Sequence, residues 1–224
     1  MGSQKFASDT SGRSLKEWME GLLVLFVGLT IAHLGITLFL LARLGSDAFT
    51  VLVQGIARQT GLSIGTCQVI SFLVLMVVML FTTKGYVKPG TVVCAFCGGW
   101  IIDFFLWLLG GLVTAGTPVA ARVVVMVTGC VVLSLGMSVV VKSNSGTGPN
   151  DLIAIILTDK LNGKRHVPFG VVRVVCDLTL IAAGVLLGGT FGVGTVAAAV
   201  LVGPMAQFFF PKSGKVIHRL FPGL

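Results

Sequence analysis

The chain contains itself twice, and that repeat constrains its fold more than any other feature. Gly45-Ser-Asp-Ala-Phe-Thr50 returns as Gly146-Thr-Gly-Pro-Asn-Asp151. Ile64-Gly65 returns as Phe169-Gly170, and Pro89-Gly90-Thr91 returns as Val193-Gly194-Thr195. Gly99 with Asp103 returns as Gly203 with Gln207, each followed by a Phe-Phe pair. The offsets are 146−45=101, 170−65=105, 194−90=104 and 203−99=104. Constant order with little drift in spacing marks a duplication, and internal repeats are a common way to build a membrane carrier.

The residues between these landmarks are apolar. Hydrophobic residues make up 55% of the chain and charged residues 11%, against about 25% charged in soluble domains. Six runs approach or exceed the about 20 residues needed to cross a bilayer: 18–41, 65–82, 91–113, 118–141, 168–187 and 195–210. They lack the alternation of a transmembrane β-barrel. Two further segments, 48–59 and 149–161, are shorter. At about 1.5 Å per residue, twelve helical residues cover about 18 Å of a hydrocarbon core about 30 Å thick. They are either re-entrant half-helices or interfacial helices. The sequence therefore predicts an all-α polytopic membrane protein of two repeats, 17–114 and 115–211, each with three spans and one short segment. A polar N-terminal tail (1–16) and a basic C-terminal tail (212–224) flank them.

If the short segments do not cross, an odd number of spans per half makes the repeats inverted. The basic residues agree with that expectation. Loop 83–90 carries Lys84 and Lys88, while its counterpart 188–194 carries no basic residue. The second short segment is flanked or occupied by Lys142, Lys160, Lys164 and Arg165, the first only by Arg43 and Arg58. With both termini cytoplasmic, these groups and the basic tails follow the positive-inside rule. The net charge of +8 is thus a membrane-topology signal, and no nucleic-acid partner is expected.

Polar groups within the spans are the functional candidates. Asp47, Thr50, Asn150 and Asp151 open the two short segments at equivalent positions. Helices starting inside a protein present free N–H groups and a positive dipole end, which suit a solute with an anionic group. The same residues also suit ordinary helix caps. Asp103 and Gln207 match across the repeat and are candidates for coupling or gating. So are Arg173 and Asp177, which lie four apart on one helix face and can pair. His33 reads as a satisfied interhelical residue. Cys94-Ala-Phe-Cys97 lacks the surrounding pattern of a redox protein, and the five cysteines read as packing residues. No catalytic constellation, cofactor motif or metal-ligand set is visible, so the chain is not expected to be an enzyme.

Gly-x-Gly-Pro-x-Asp at 146–151, Gly-x-Gly-Thr at 192–195, Gly203-Pro204 and Gly61-Leu-Ser-Ile-Gly65 resemble the YczE/YyaS/YitT group of integral membrane proteins. The resemblance covers about residues 20–211. It implies a bacterial inner-membrane protein, often supposed to be a transporter. It carries over no catalytic residue. Half one departs from the element, with Asp47, Ala48 and Thr50 where half two has Gly148, Pro149 and Asp151. The expected function is a small secondary transporter, with its solute site between the two broken helices and a homodimer as a reasonable assembly. The alternative is a non-transporting membrane partner or regulator of another protein.

Overall fold

The computed structural model describes residues 13–82, 86–114, 116–162, 167 and 169–221. Among the described residues nine α-helices follow one another: α1 (Leu15–Ala42), α2 (Ala48–Thr60), α3 (Ile64–Thr82), α4 (Pro89–Leu109), α5 (Val119–Lys142), α6 (Pro149–Asn162), α7 (Phe169–Leu186), α8 (Val193–Ala197) and α9 (Gly203–Leu220). Five stretches of the described residues are long and apolar enough to cross a membrane: α1, α3, α4, α5 and the continuous α8–α9 rod, Val193–Leu220. The remaining predicted span, 168–187, corresponds to α7, of 18 residues, which carries Arg173 and Asp177. The short segments are α2 and α6, of 13 and 14 residues.

α1 begins at a capping box. Glu17 N–H donates to Ser14 Oγ, and Ser14 N–H donates to Glu17 Oε2, satisfying two orphan donors of the first turn. α1 then packs against α5 along a row of glycines. A β-carbon added at Gly35 would lie 2.4 Å from Leu133 N, and one at Gly136 would lie 2.2 Å from Ala32 N. Gly28 meets Val140 in the same way, and a β-carbon at Gly129 would lie 3.0 Å from Gly35 O and 3.3 Å from the Phe39 ring. Only glycine lets two helix backbones approach so closely. The paired numbers share one sum: 35+133, 32+136, 28+140 and 39+129 all equal 168. The helices therefore run antiparallel. The contacts also interchange under the sequence offset, since 35+101=136, 133−101=32, 28+101=129 and 140−101=39.

The junctions that follow α1 and α5 are built alike. Arg43 and Asn144 both adopt left-handed backbone, at φ 55° and 51°, and Gly45 and Gly146 follow at φ 108° and 140°. Such angles strain residues with a β-carbon and favour glycine. Gly194 N–H donates to Leu44 O at 2.7 Å, and Gly90 N–H donates to Ser145 O at 2.9 Å. Each junction is thus held by the Gly-Thr corner of the opposite half. From the α1–α5 register, Ala42 lies level with Met126, seven residues inboard of the start of α5. Lys142 lies level with Phe26, eleven residues inboard of the start of α1. At about 1.5 Å per residue these are depths of about 10 and 16 Å.

Each short helix then lies along a helix of the other half. α2 runs beside α7 in the same direction. Leu52 N and Val51 crowd Gly184, Leu187 crowds Gly55, and Arg58 reaches Gly188 O. α6 runs beside α3 in the same direction, with Phe72 near Gly148 and Met79 packed on Leu152 and Ile156. Phe49 of α2 stacks on Phe72 of α3 at 4.7 Å between ring centroids.

The C-terminal segment differs from the tail predicted at 212–224. α9 continues to Leu220 and buries Ser213 and Ile217. Ser213 shares a 2.6 Å hydrogen bond with Ser138 of α5. The basic residues stand on the outer side of a packed helix. The rod α8–α9 widens into a π turn at Ala198–Val202. Pro204 lacks the N–H that an α-helix would direct at residue 200, which loosens the ladder there.

Candidate functional site

Four charged side chains from α2, α6 and α7 converge where the two short helices begin. Asp47 caps α2, accepting the Thr50 N–H at 3.3 Å. Asp151 sits in the first turn of α6 and accepts from Thr147 Oγ1 and Asn150 Nδ2, both at 3.3 Å. Arg173 reaches across from α7. Its Nη1 lies 2.7 Å from Asp151 Oδ1, and its Nε donates to Asp177 Oδ2 at 3.2 Å. Because α2 runs alongside α7, Asp47 comes within electrostatic range of Arg173, Asp151 and Asp177. The Arg173–Asp177 pair expected from i, i+4 spacing is present, but the shorter ion pair is the long-range one to Asp151.

The first group of predicted residues therefore meets part of the second. Thr50 is buried, and its N–H serves the Asp47 cap. Asn150 contacts Asp151 as its sequence neighbour. Asp103 and Gln207 do not join them. The Asp103 carboxylate accepts the Gly65 N–H at 2.9 Å and the Ser63 hydroxyl, so it caps the start of α3. Gln207 faces outward on α9.

A second buried polar contact escapes pattern reading. His33 Nδ1 lies 2.8 Å from Leu29 O. A carbonyl only accepts, so Nδ1 carries the proton and Nε2 is the acceptor. Gln68 Nε2 donates to it at 2.9 Å. Gly98 leaves room, since a β-carbon there would lie 2.6 Å from His33 Nε2. Gln68 aligns with Arg173 at the offset read from the sequence (173−68=105). The alignment pairs the two positions, but only the helix packing gives Gln68 its partner. All five cysteines are free thiols, and Cys67, Cys94 and Cys130 are buried.

A cleft of about 550 Å³ opens between α1, α2 and α3, lined by Arg43, Gln54, Arg58 and Thr190 among others. Gln54 and Arg58 share a face of α2 with Asp47, at spacings of seven and four. Arg58 is engaged by Gly188 O and Thr190 Oγ1, and Gln54 Oε1 accepts the Thr190 N–H.

The profile of a family of unknown function, DUF6198, matches residues 19–211. An uncharacterized protein of Haemophilus influenzae is 30% identical over 197 residues, covering 87% of this chain and 85% of that one. The uncharacterized membrane protein YczE of Bacillus subtilis is 27% identical, covering 86% of each chain. The uncharacterized protein YyaS of Bacillus subtilis is 25% identical, covering 87% of this chain and 92% of its own. No solved structure matches. The many apolar helices and this kinship agree: the chain is a helical membrane protein and belongs to the DUF6198 family, with YczE and YyaS among its relatives.

Proposed function

We propose that the protein is a small secondary transporter of the bacterial inner membrane, built from two inverted repeats with both termini cytoplasmic. Its solute site lies between the starts of α2 and α6. The observation that carries this reading is the meeting of three carboxylates, Asp47, Asp151 and Asp177, with the single guanidinium of Arg173. The inverted repeat is supported by the interchangeable glycine contacts of α1 and α5 and by the reciprocal Gly90–Ser145 and Gly194–Leu44 hydrogen bonds. The inboard starts of α2 and α6 support re-entrant helices over interfacial ones. Irregular backbone at membrane depth is tolerated where protein covers it.

The charge balance favours a cationic group on the solute over the anionic group that helix N-termini alone would suit. Asp47 already occupies the α2 N-terminus, and Asp151 stands in the first turn of α6. With all groups ionised the cluster carries 1−3=−2 formal charges. Uncompensated charge in the bilayer interior is costly, so a cationic group on the solute offsets it. Arg173 then acts as a tethered competitor for Asp151, and its release couples solute binding to movement of α6 against α7. Alternating access comes from rocking one half against the other. Asp103 is left with its capping task.

A thermal-shift screen in detergent tests this, because a ligand that binds only the folded state raises its stability. Organic ammonium compounds, amino acids, organic acids and lipophilic cations form the panel. A dose-dependent shift from a cationic class, absent in Asp151→Asn, and accumulation of that compound in proteoliposomes is the expected result. A shift from organic acids that survives Asp151→Asn would sink the proposed site. Binding without transport would move the protein to the alternative role of membrane partner.

A further inference from the structure

α1 and α9 both pack on α5 but barely on each other, which leaves a groove of about 510 Å³ between them. Its walls are apolar: Val24 and Val27 from α1, Leu135 and Val139 from α5, Ile217 and Leu220 from α9. Lys212 lines the same groove, with its ammonium 3.9 Å from the Phe208 ring centroid. Lys215 and Arg219 follow Lys212 at spacings of three and four, so the three cations stand in one row. Lys142 lies beside Gly214, its ammonium 5.9 Å from the Phe210 ring. None of these four cations has a carboxylate within 4 Å among the described residues. The acids at the adjoining end of α1 are engaged, Glu17 in its capping box and Glu20 with Lys16 at 3.8 Å.

We infer that this groove seats an acyl chain of an anionic phospholipid, whose headgroup phosphate is held by Lys212 with Lys215 and Arg219. An apolar slot with Lys212 in its lining, and two further cations without a carboxylate partner along the same helix, offers both chemistries that such a lipid needs. A zwitterionic lipid offers the same chain without the net negative charge. A soluble phosphate ester offers the charge without the chain. The basic row also lies on the side that the positive-inside rule assigns to the cytoplasm, where anionic headgroups attract juxtamembrane lysine and arginine.

The test uses the full chain in a neutral detergent, titrated with phosphatidylglycerol, with phosphatidylcholine of the same acyl chains, and with glycerol phosphate. Binding is read by native mass spectrometry and by the thermal midpoint. Phosphatidylglycerol is expected to bind more tightly than phosphatidylcholine, by about fivefold for each cation engaged. Glycerol phosphate is expected to do nothing at equal concentration. Replacing the exposed cations (Lys212→Gln, Lys215→Gln, Arg219→Gln together) should equalise the two lipids without unfolding the protein. Val139→Trp should fill the groove and weaken both. Equal affinity for the two lipids in the parent protein would overturn the inference. So would headgroup preference that survives the triple replacement, or an equal response to glycerol phosphate. Undiminished binding by a folded Val139→Trp variant would remove the groove as the seat.

Discussion

Neutralising Arg173 should destabilise this protein far more than neutralising Asp177, although the two share an ion pair. At a charge separation of about 4 Å and an effective dielectric of about 20, one pair is worth about 4 kcal/mol before desolvation. Removing one partner of a buried pair costs about 3–5 kcal/mol, because the other charge is left stranded. The side chains of Arg173, Asp151 and Asp177 are 31%, 19% and 29% exposed. Solvent therefore screens part of the loss, and about 2–3 kcal/mol is a fair figure for Arg173→Gln. That variant leaves three carboxylates facing one another. At about 2–4 °C per kcal/mol for a chain of this size, the midpoint should fall by about 5–10 °C. Asp177→Asn keeps the 2.7 Å pair with Asp151 and removes one carboxylate from the cluster, so its effect should stay within about 1 kcal/mol. The double variant Arg173→Gln, Asp151→Asn removes a stranded charge and should recover part of the loss. Differential scanning fluorimetry in one detergent measures all four proteins. Equal losses from Arg173→Gln and Asp177→Asn, or no loss from Arg173→Gln, would refute the reasoning that Arg173 is the central neutralising charge.

Other expectations follow from single contacts. Asp47→Asn should leave the midpoint within about 1 kcal/mol of the parent, since asparagine caps helices about as well as aspartate, while affinity for a cationic ligand drops in the same titration. Gly35→Ala and Gly136→Ala place a β-carbon 2.4 and 2.2 Å from opposing backbone nitrogens. Each should cost about 1–3 kcal/mol, with Gly111→Ala, which meets nothing within 4 Å, as the unaffected control. Ser63→Ala should lower the midpoint by the cost of a lost cap partner, about 1 kcal/mol, and, on the proposed transporter reading, leave uptake unchanged. Abolished transport in a folded Asp103→Asn variant would return Asp103 to a coupling role.

Much of the architecture was legible because it rests on residue types that permit few alternatives. Gly45 and Gly146 stood out as repeat landmarks, and both occupy positive-φ corners after the first helix of each half. Long apolar runs located the spans for the same reason that water excludes them. What the sequence concealed lies in contacts between distant segments. Asp151 and Arg173 are 22 apart, and no helical period connects them. Gln68 found its partner on α1, 35 positions away. Asp103 resembled an intramembrane acid, yet the nearby start of α3 offered it unpaired donors. The run from Lys212 onward read as a tail because its charge is conspicuous. Ser213 and Ile217, which hold the helix to its neighbours, are spaced among the cations and carry no signal unless the stretch is read as a helix.

On the proposed repeat reading, the two halves share a scaffold but divide the chemistry between them. At the positions occupied by Gln68 and Phe72 in α3, α7 carries Arg173 and Asp177 (173−68=105 and 177−72=105). The α3 pair makes neutral contacts, an amide on His33 and an aromatic ring on Phe49. The α7 pair makes charged ones. α2 lies along α7 and brings Asp47 to the charged helix, while α6 packs between α3 and α7 and brings Asp151 to it from the junction. A single guanidinium thereby serves carboxylates that belong to both repeats. Two charged copies would place two arginines and up to four acids in one bilayer interior, a costly arrangement. Two neutral copies would leave Asp47 and Asp151 with no cation at all. One charged and one neutral segment is the arrangement in which both junction acids can persist, with Arg173 as the cation that faces them.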